Sequence, residues 1–129
     1  MTPIVFINCS SAPFMDDIIT GRKVYETRSR DMLRGLVGRR VYLAETGKGK
    51  PVIRCSAKIT RALRVILPDA WEQFRSATCV PVGTAYDWKP DTYCKWLYEL
   101  DHVQPVPSPF TPPEGVRHGR VWMEYNEEV

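Results

Sequence analysis

Metal-ligand spacing is missing from this chain. Cys9, Cys55, Cys79 and Cys94 stand far apart with no CxxC pair, and His102 and His118 stand alone without an HxxxH or His-carboxylate pair at ligand spacing. Neither a zinc ribbon nor a thioredoxin-type redox motif is written here, so no metal is expected. Gly47-Lys48-Gly49-Lys50 lacks the GxxxxGK[ST] frame of a phosphate loop and reads as a mobile, basic hairpin tip that could touch nucleic acid at a rim. A nucleophile elbow around serine is absent as well. No apolar run approaches the ~20 residues that span a bilayer, so no membrane partner is expected. The opening Met1-Thr2-Pro3-Ile4-Val5-Phe6 lacks the basic start and small-residue cleavage site of a secretory leader. A cytoplasmic protein with reduced thiols is therefore the expectation.

What is present is the composition of one globular domain, expected over 1–129: 129 residues, 43% hydrophobic and 26% charged. Eleven prolines point to loops and short strands rather than a bundle of long helices. The net charge of +3 is small, but it is unevenly spread. Residues 1–64 carry thirteen Lys/Arg against five Asp/Glu, whereas the remainder carries five against ten. That asymmetry suggests a basic face suited to a phosphate-bearing partner, against the blander alternative of scattered, solvated charges.

Ile4 to Ile7 is an apolar run that reads as a buried strand. Ser11 is placed to cap a short helix over 12–20, with Pro13 in its first turn, and Gly21 ends it as a left-handed cap before a strand over 24–29. Leu33, Leu36 and Val37 predict a helical turn before Gly38, followed by a strand at 40–45 and a long one from Val52 to Leu67. Pro68-Asp69 opens an amphipathic helix that buries Trp71 and Phe74. The segment 79–90 carries no clear pattern. Strands are expected within 93–106 and at 120–125, separated by a proline-rich loop over 105–115. About six short strands with two or three short helices and no parallel βαβ series make an α+β fold, a small β-barrel.

The densest chemistry is Gly21-Arg22-Lys23-Val24-Tyr25-Glu26-Thr27-Arg28, where the first helix hands over to a strand. Glu26 and Arg28, two apart on a strand, share a face, and Lys23 sits at the hinge that Gly21 re-aims. A carboxylate held between an ammonium and a guanidinium stays ionised and can accept from a base amino group while the cations meet phosphate. The structural alternative is an ion pair that ties the helix to the barrel.

The spacing of Gly21, Lys23, Glu26 and Arg28 is the GxKxxExR signature of the ASCH domain family, within the PUA-like superfamily of β-barrels. The chain resembles that family further in Ser29-Arg30, in Gly38-Arg39-Arg40-Val41, in the stretch from Lys95 to Val106 and in His118-Gly119-Arg120-Val121-Trp122. The resemblance implies a PUA-like barrel whose cleft binds RNA, a nucleobase or a modified nucleotide without a cofactor. Lys23, Glu26 and Arg28 would line it, with Arg22, Arg30, Arg34, Arg39 and Arg40 as nearby cations. Tyr25, Tyr98 and Trp96 are candidate stacking platforms, although Tyr25 reads rather as core, as do Trp71 and Phe74, and Trp96 and Trp122 read rather as barrel packing.

The resemblance also implies an enzymatic alternative. Some small ASCH proteins are amidohydrolases acting on N4-acylated cytidine-type nucleosides, and others have been proposed to be ribonucleases. Lys23 would then be the key residue, as a neutral amine that activates water or attacks a carbonyl. This chain departs from that branch by carrying Glu26 where the hydrolase pattern has a hydroxyl residue. A carboxylate so close to Lys23 favours the charged ammonium. Glu26 itself could serve as acid or base, and Glu99 is the candidate for a second acid.

Overall fold

The computed structural model describes residues 2–113 and the backbone of the strand Trp122–Tyr125. The surroundings of His118 and the packing of the Trp122 side chain lie outside the described residues. In chain order the elements are β1 (Thr2–Asn8), α1 (Phe14–Ile19), β2 (Tyr25–Arg28), a single 3-10 turn (Arg34–Leu36), β3 (Arg40–Thr46), β4 (Val52–Val65), α2 (Pro68–Thr78), β5 (Lys95–Phe110) and β6 (Trp122–Tyr125). The strands form one six-stranded sheet in the order β2-β5-β4-β3-β1-β6. The α+β reading therefore holds.

The apolar run of β1 is unbroken because both of its faces are covered. Val5 and Ile7 join the main core with Met15, Ile18, Leu43 and Trp71. Ile4 and Phe6 point the other way, into a smaller cluster with Ala44 and Ile53, against which Val106 and Phe110 pack. One pairing was not anticipated: β1 and β3 run parallel, with Ile4 opposite Tyr42, and the chain between them makes the crossover through α1 and β2. The other ladders are antiparallel.

Two local expectations need correction. Ser11 does not cap α1; Pro13 is the N-cap, without a side-chain cap, and the helix starts at Phe14. The residues Pro105 to Phe110 are not loop but the second half of β5, with Pro105 opposite Cys55 and Phe110 opposite Ile53 across a bulged register. Because β2 pairs only with Trp96 to Glu99, this half of β5 has β4 on one side and, among the described residues, no strand on the other. Prolines at 105, 107 and 109 alternate, so their missing N–H groups fall on one edge, where a strand tolerates them.

Gly21 ends α1 as expected, with φ +82°, and its N–H donates to the Ile18 carbonyl at 3.1 Å. α2 packs across β2, with Phe74 edge-on to Tyr25 at 5.4 Å between ring centroids. The undetermined segment after α2 is anchored by buried Asp87, which accepts from Trp71 Nε1, Gly83 N and Trp88 N at 2.7–2.9 Å.

Among the described residues strand pairing does not close the sheet, and β2 and β6 are its two edges. β6 covers Thr2 to Val5 of β1, which leaves the Phe6 carbonyl past the end of that ladder. Arg28 of β2 reaches across and donates Nη2 to that oxygen at 2.8 Å. A side chain, rather than a ladder, spans the seam there.

Candidate functional site

Gly21 turns the chain at the end of α1, and the Lys23 N–H donates back to the Asp17 carbonyl at 2.9 Å. That turn drives the Lys23 side chain inward. It is only 2% exposed. Its ammonium donates to the carbonyl of Thr78 at 2.6 Å, lies 4.7 Å from the centre of the Phe14 ring and is 3.6 Å from Glu26 Oε1. Thr78 is the last residue of α2, so the cation sits at the negative end of an eleven-residue helix.

Glu26, also buried, links the two cations. Its Oε2 accepts from Arg28 Nη2 at 2.8 Å and its Oε1 accepts from the Thr27 N–H at 3.1 Å. The structure thus brings Lys23, Glu26 and Arg28 together as one buried line of alternating charge. The Arg28 side chain keeps 17% exposure, and its Nε is buried without a partner among the described residues. Such a donor is uncommon, because a buried N–H without an acceptor costs about 1–3 kcal/mol.

Burial pushes the Lys23 pKa down, and this outweighs the upward pull of Glu26. Glu26 acts in the expected direction, towards the charged ammonium. The carboxylate is there, but desolvation is the larger effect.

Other candidates are not brought to this line. Glu99 lies opposite Tyr25, on the face of β5 turned away from Glu26, which lies opposite Tyr98. Its carboxylate accepts from Thr60 Oγ1 at 2.6 Å and from Tyr25 and Arg61 at 3.3 Å, and the Thr60 bond leads in holding its pKa down. As a second acid beside Lys23 it is misplaced. Tyr98 shares the Glu26 face but is fully buried, donating its hydroxyl to Asp31 at 2.7 Å and accepting from Leu33 N at 3.3 Å. It offers no open ring for stacking. Arg22 is exposed and paired with Asp17 at 2.9 Å, and Arg30 is exposed.

The basic half of the chain is partly neutralised by local carboxylates. Arg54 bridges Asp16 and Glu45, each at 2.8 Å, Arg61 meets Glu99, and Arg34 donates to Asp31. The sequence reading missed the surroundings of Trp96. This ring is opposite Arg28 on β2 and Arg64 on β4, so the three share a face, and the guanidinium of Arg34 lies 5.3 Å from its centre. Period-two alternation places Trp96 with Tyr98, but its three arginines lie far off in sequence and needed the fold.

Among the described residues no group of three or more His, Cys, Asp or Glu side chains could hold a metal ion, and no helix is long and apolar enough to cross a membrane. The four cysteines are free thiols.

This architecture is an ASCH-domain fold. The crystal structure of ASCH from Zymomonas mobilis superposes with a TM-score of 0.78 at 15% identity, covering 98% of this chain and 89% of that one. A serine-to-alanine variant of the same protein gives 0.77 at 15% identity with the same coverage. A tyrosine-to-phenylalanine variant gives 0.77 at 14%, covering 98% of this chain and 91% of that one. Neither a family model nor a curated protein matches the sequence.

Proposed function

We propose that this chain binds RNA, a nucleobase or a modified nucleotide on the face that carries Glu26 and Arg28, with Lys23 holding that face from beneath. The observation that carries the reading is the Nε of Arg28, buried without a partner among the described residues, next to a carboxylate already fixed by two donors. A guanidinium with an unused donor is suited to a phosphate or base carbonyl oxygen, and Glu26 to an exocyclic amino group. The ASCH fold, belonging to a PUA-like class linked to RNA, supports the same reading. Free thiols accord with a cytoplasmic setting.

The test is binding of a short single-stranded RNA at two salt concentrations. Affinity should fall with salt, and Arg28→Ala should weaken it about tenfold, the size expected for a lost charge-assisted hydrogen bond. Unchanged affinity at low salt in both Arg28→Ala and Lys23→Ala would remove the motif as the binding site.

One observation favours a second reading. The lowered pKa of Lys23 brings its amine nearer the neutral form that amide hydrolysis of an N4-acylated cytidine needs, and a ribonuclease activity would draw on the same residue. Against it, the amine is buried and bonded to Thr78, and Glu99 faces away. Release of acetate from N4-acetylcytidine by the wild type, abolished in Lys23→Ala, would put this reading first.

A further inference from the structure

Beyond the motif lies a groove of about 490 Å³ lined by Arg64, Ile66, Pro68, Trp88, Thr92 and Tyr93, of which Arg64 shares the face of Trp96 and Arg28. Its volume falls within the range of small-ligand sites, ~300–1,000 Å³. Tyr93 is 78% exposed at its wall, well beyond what core packing gives an aromatic ring. Arg64 stands between this groove and the motif. Its guanidinium lies 5.6 Å from the Tyr93 ring centre and 6.0 Å from that of Trp96, and Trp96 is itself opposite Arg28.

Arg64 is held differently from several other described arginines. Arg22, Arg34, Arg54, Arg61 and Arg75 are each paired with a carboxylate. Arg64 rests on aromatic rings and on the polar groups of Cys94 and Tyr93 and, among the described residues, has no carboxylate partner. Ring contacts hold a guanidinium in place without neutralising it, so its charge remains available to an anion. An exposed ring beside such a cation is the pairing that single-stranded nucleic acid uses, a base on the ring and a phosphate on the cation.

We infer that the Arg64–Tyr93–Trp88 groove is a second contact surface for single-stranded RNA, separate from the Lys23–Glu26–Arg28 line and joined to it by the Arg28–Trp96–Arg64 row across three strands. The inference rests on the RNA reading above. Adjacent strands lie ~4.8 Å apart, so the row covers about 10 Å from β2 to β4. A short oligonucleotide reaches both surfaces, and a mononucleotide occupies one.

The experiment compares a single-stranded RNA octamer with a nucleoside monophosphate, by fluorescence anisotropy competition, on the wild type, Tyr93→Ala, Arg64→Gln and Arg28→Ala, at a temperature where the melting curve of each shows it fully folded. Both groove side chains are exposed, so the folds should survive. Tyr93→Ala and Arg64→Gln should each weaken the octamer about tenfold and leave the monophosphate unchanged, and Arg64→Gln should lower the log-log salt slope by about 0.7. If Arg28→Ala weakens the octamer and the groove variants do not, the groove is overturned and the motif reading stands. If the groove variants weaken it and Arg28→Ala does not, the groove stands and the motif reading falls. An octamer that binds no variant differently overturns both. Groove variants that alter the hydrodynamic size of the free protein at unchanged octamer affinity would mark the face as a protein interface and overturn the inference.

Discussion

Glu26→Gln is the sharpest perturbation of the buried line, because it removes one charge and almost no volume. In the wild type the carboxylate faces Lys23 Nζ at 3.6 Å and Arg28 Nη2 at 2.8 Å, and all three side chains are mostly buried. Removing one partner of a buried ion pair typically costs about 3–5 kcal/mol, since the remaining charge is left without compensation. Two features reduce that figure here. Glutamine can still accept from the Thr27 N–H, and Lys23 keeps the Thr78 carbonyl at the end of α2. The expected loss is therefore about 2–3 kcal/mol at pH 7, or a fall in melting temperature of roughly 8–12 °C for a domain of this size.

The pH dependence gives the independent check. The folded pKa of Lys23 lies below its unfolded value, so between the two the unfolded chain binds more protons and stability rises with pH. Without Glu26, which pulls that pKa up, the rise begins at lower pH. The gap between wild type and Glu26→Gln should therefore narrow as pH climbs through the folded pKa of the wild-type lysine. Urea unfolding of the two proteins, with Lys23→Met and the double variant completing a cycle, measures both. A loss under about 0.5 kcal/mol, or a cycle with no coupling between the two positions, would refute the claim that the charges stabilise one another.

Gly47→Ala should destabilise by about 1–3 kcal/mol, because Gly47 has φ +88° and a Cβ there would lie 2.6 Å from Asn8 Oδ1 and 2.8 Å from the Ser10 nitrogen. Chemical denaturation reads this directly, and a neutral result would mean that the tip relaxes freely. Asp87→Asn should cost about 2–4 kcal/mol, since an amide NH2 would meet one of the donors that now converge on Asp87 from Trp71, Gly83, Trp88 and Arg75. Burial raises the Asp87 pKa, but those hydrogen bonds outweigh it and hold the carboxyl well below the usual range. Its stabilisation is thus present above the unfolded pKa of ~3.9 and lost as pH falls toward the folded one, so the two proteins should converge in acid.

Local chemistry made the motif legible before the fold was known. A glycine after a short apolar helix, followed by alternation, fixes a turn and a strand within eight residues, and Glu26 and Arg28 must then share a face whatever else the chain does. Register was not legible. Whether Glu99 or Tyr98 stands opposite Glu26 depends on a hydrogen-bond ladder between segments about seventy residues apart, and a shift of one residue exchanges them. The alternating prolines of β5 read as loop because their tolerance depends on an unpaired edge, which only the strand order reveals. Likewise the +8 balance of the first 64 residues says nothing of which arginines are spent on carboxylates.

The position of Arg28 connects stability with recognition. One guanidinium holds Glu26, reaches the Phe6 carbonyl across the seam between β2 and β1, and, among the described residues, leaves Nε without an acceptor. A sheet closed by a ladder would commit backbone groups on both edges to the seam and leave it rigid. A seam spanned by a side chain can open by rotating bonds within one residue, at the cost of two charge-assisted hydrogen bonds rather than a run of backbone pairs. A phosphate or carbonyl oxygen arriving at Nε offers the guanidinium a replacement for the Phe6 contact, so occupancy of the site and the bridging of the β1–β2 seam are linked through the same five N–H donors. On this argument ligand binding should loosen the β1–β2 seam, and amide exchange at Ile7 and Thr27 should quicken, not slow, when RNA is bound.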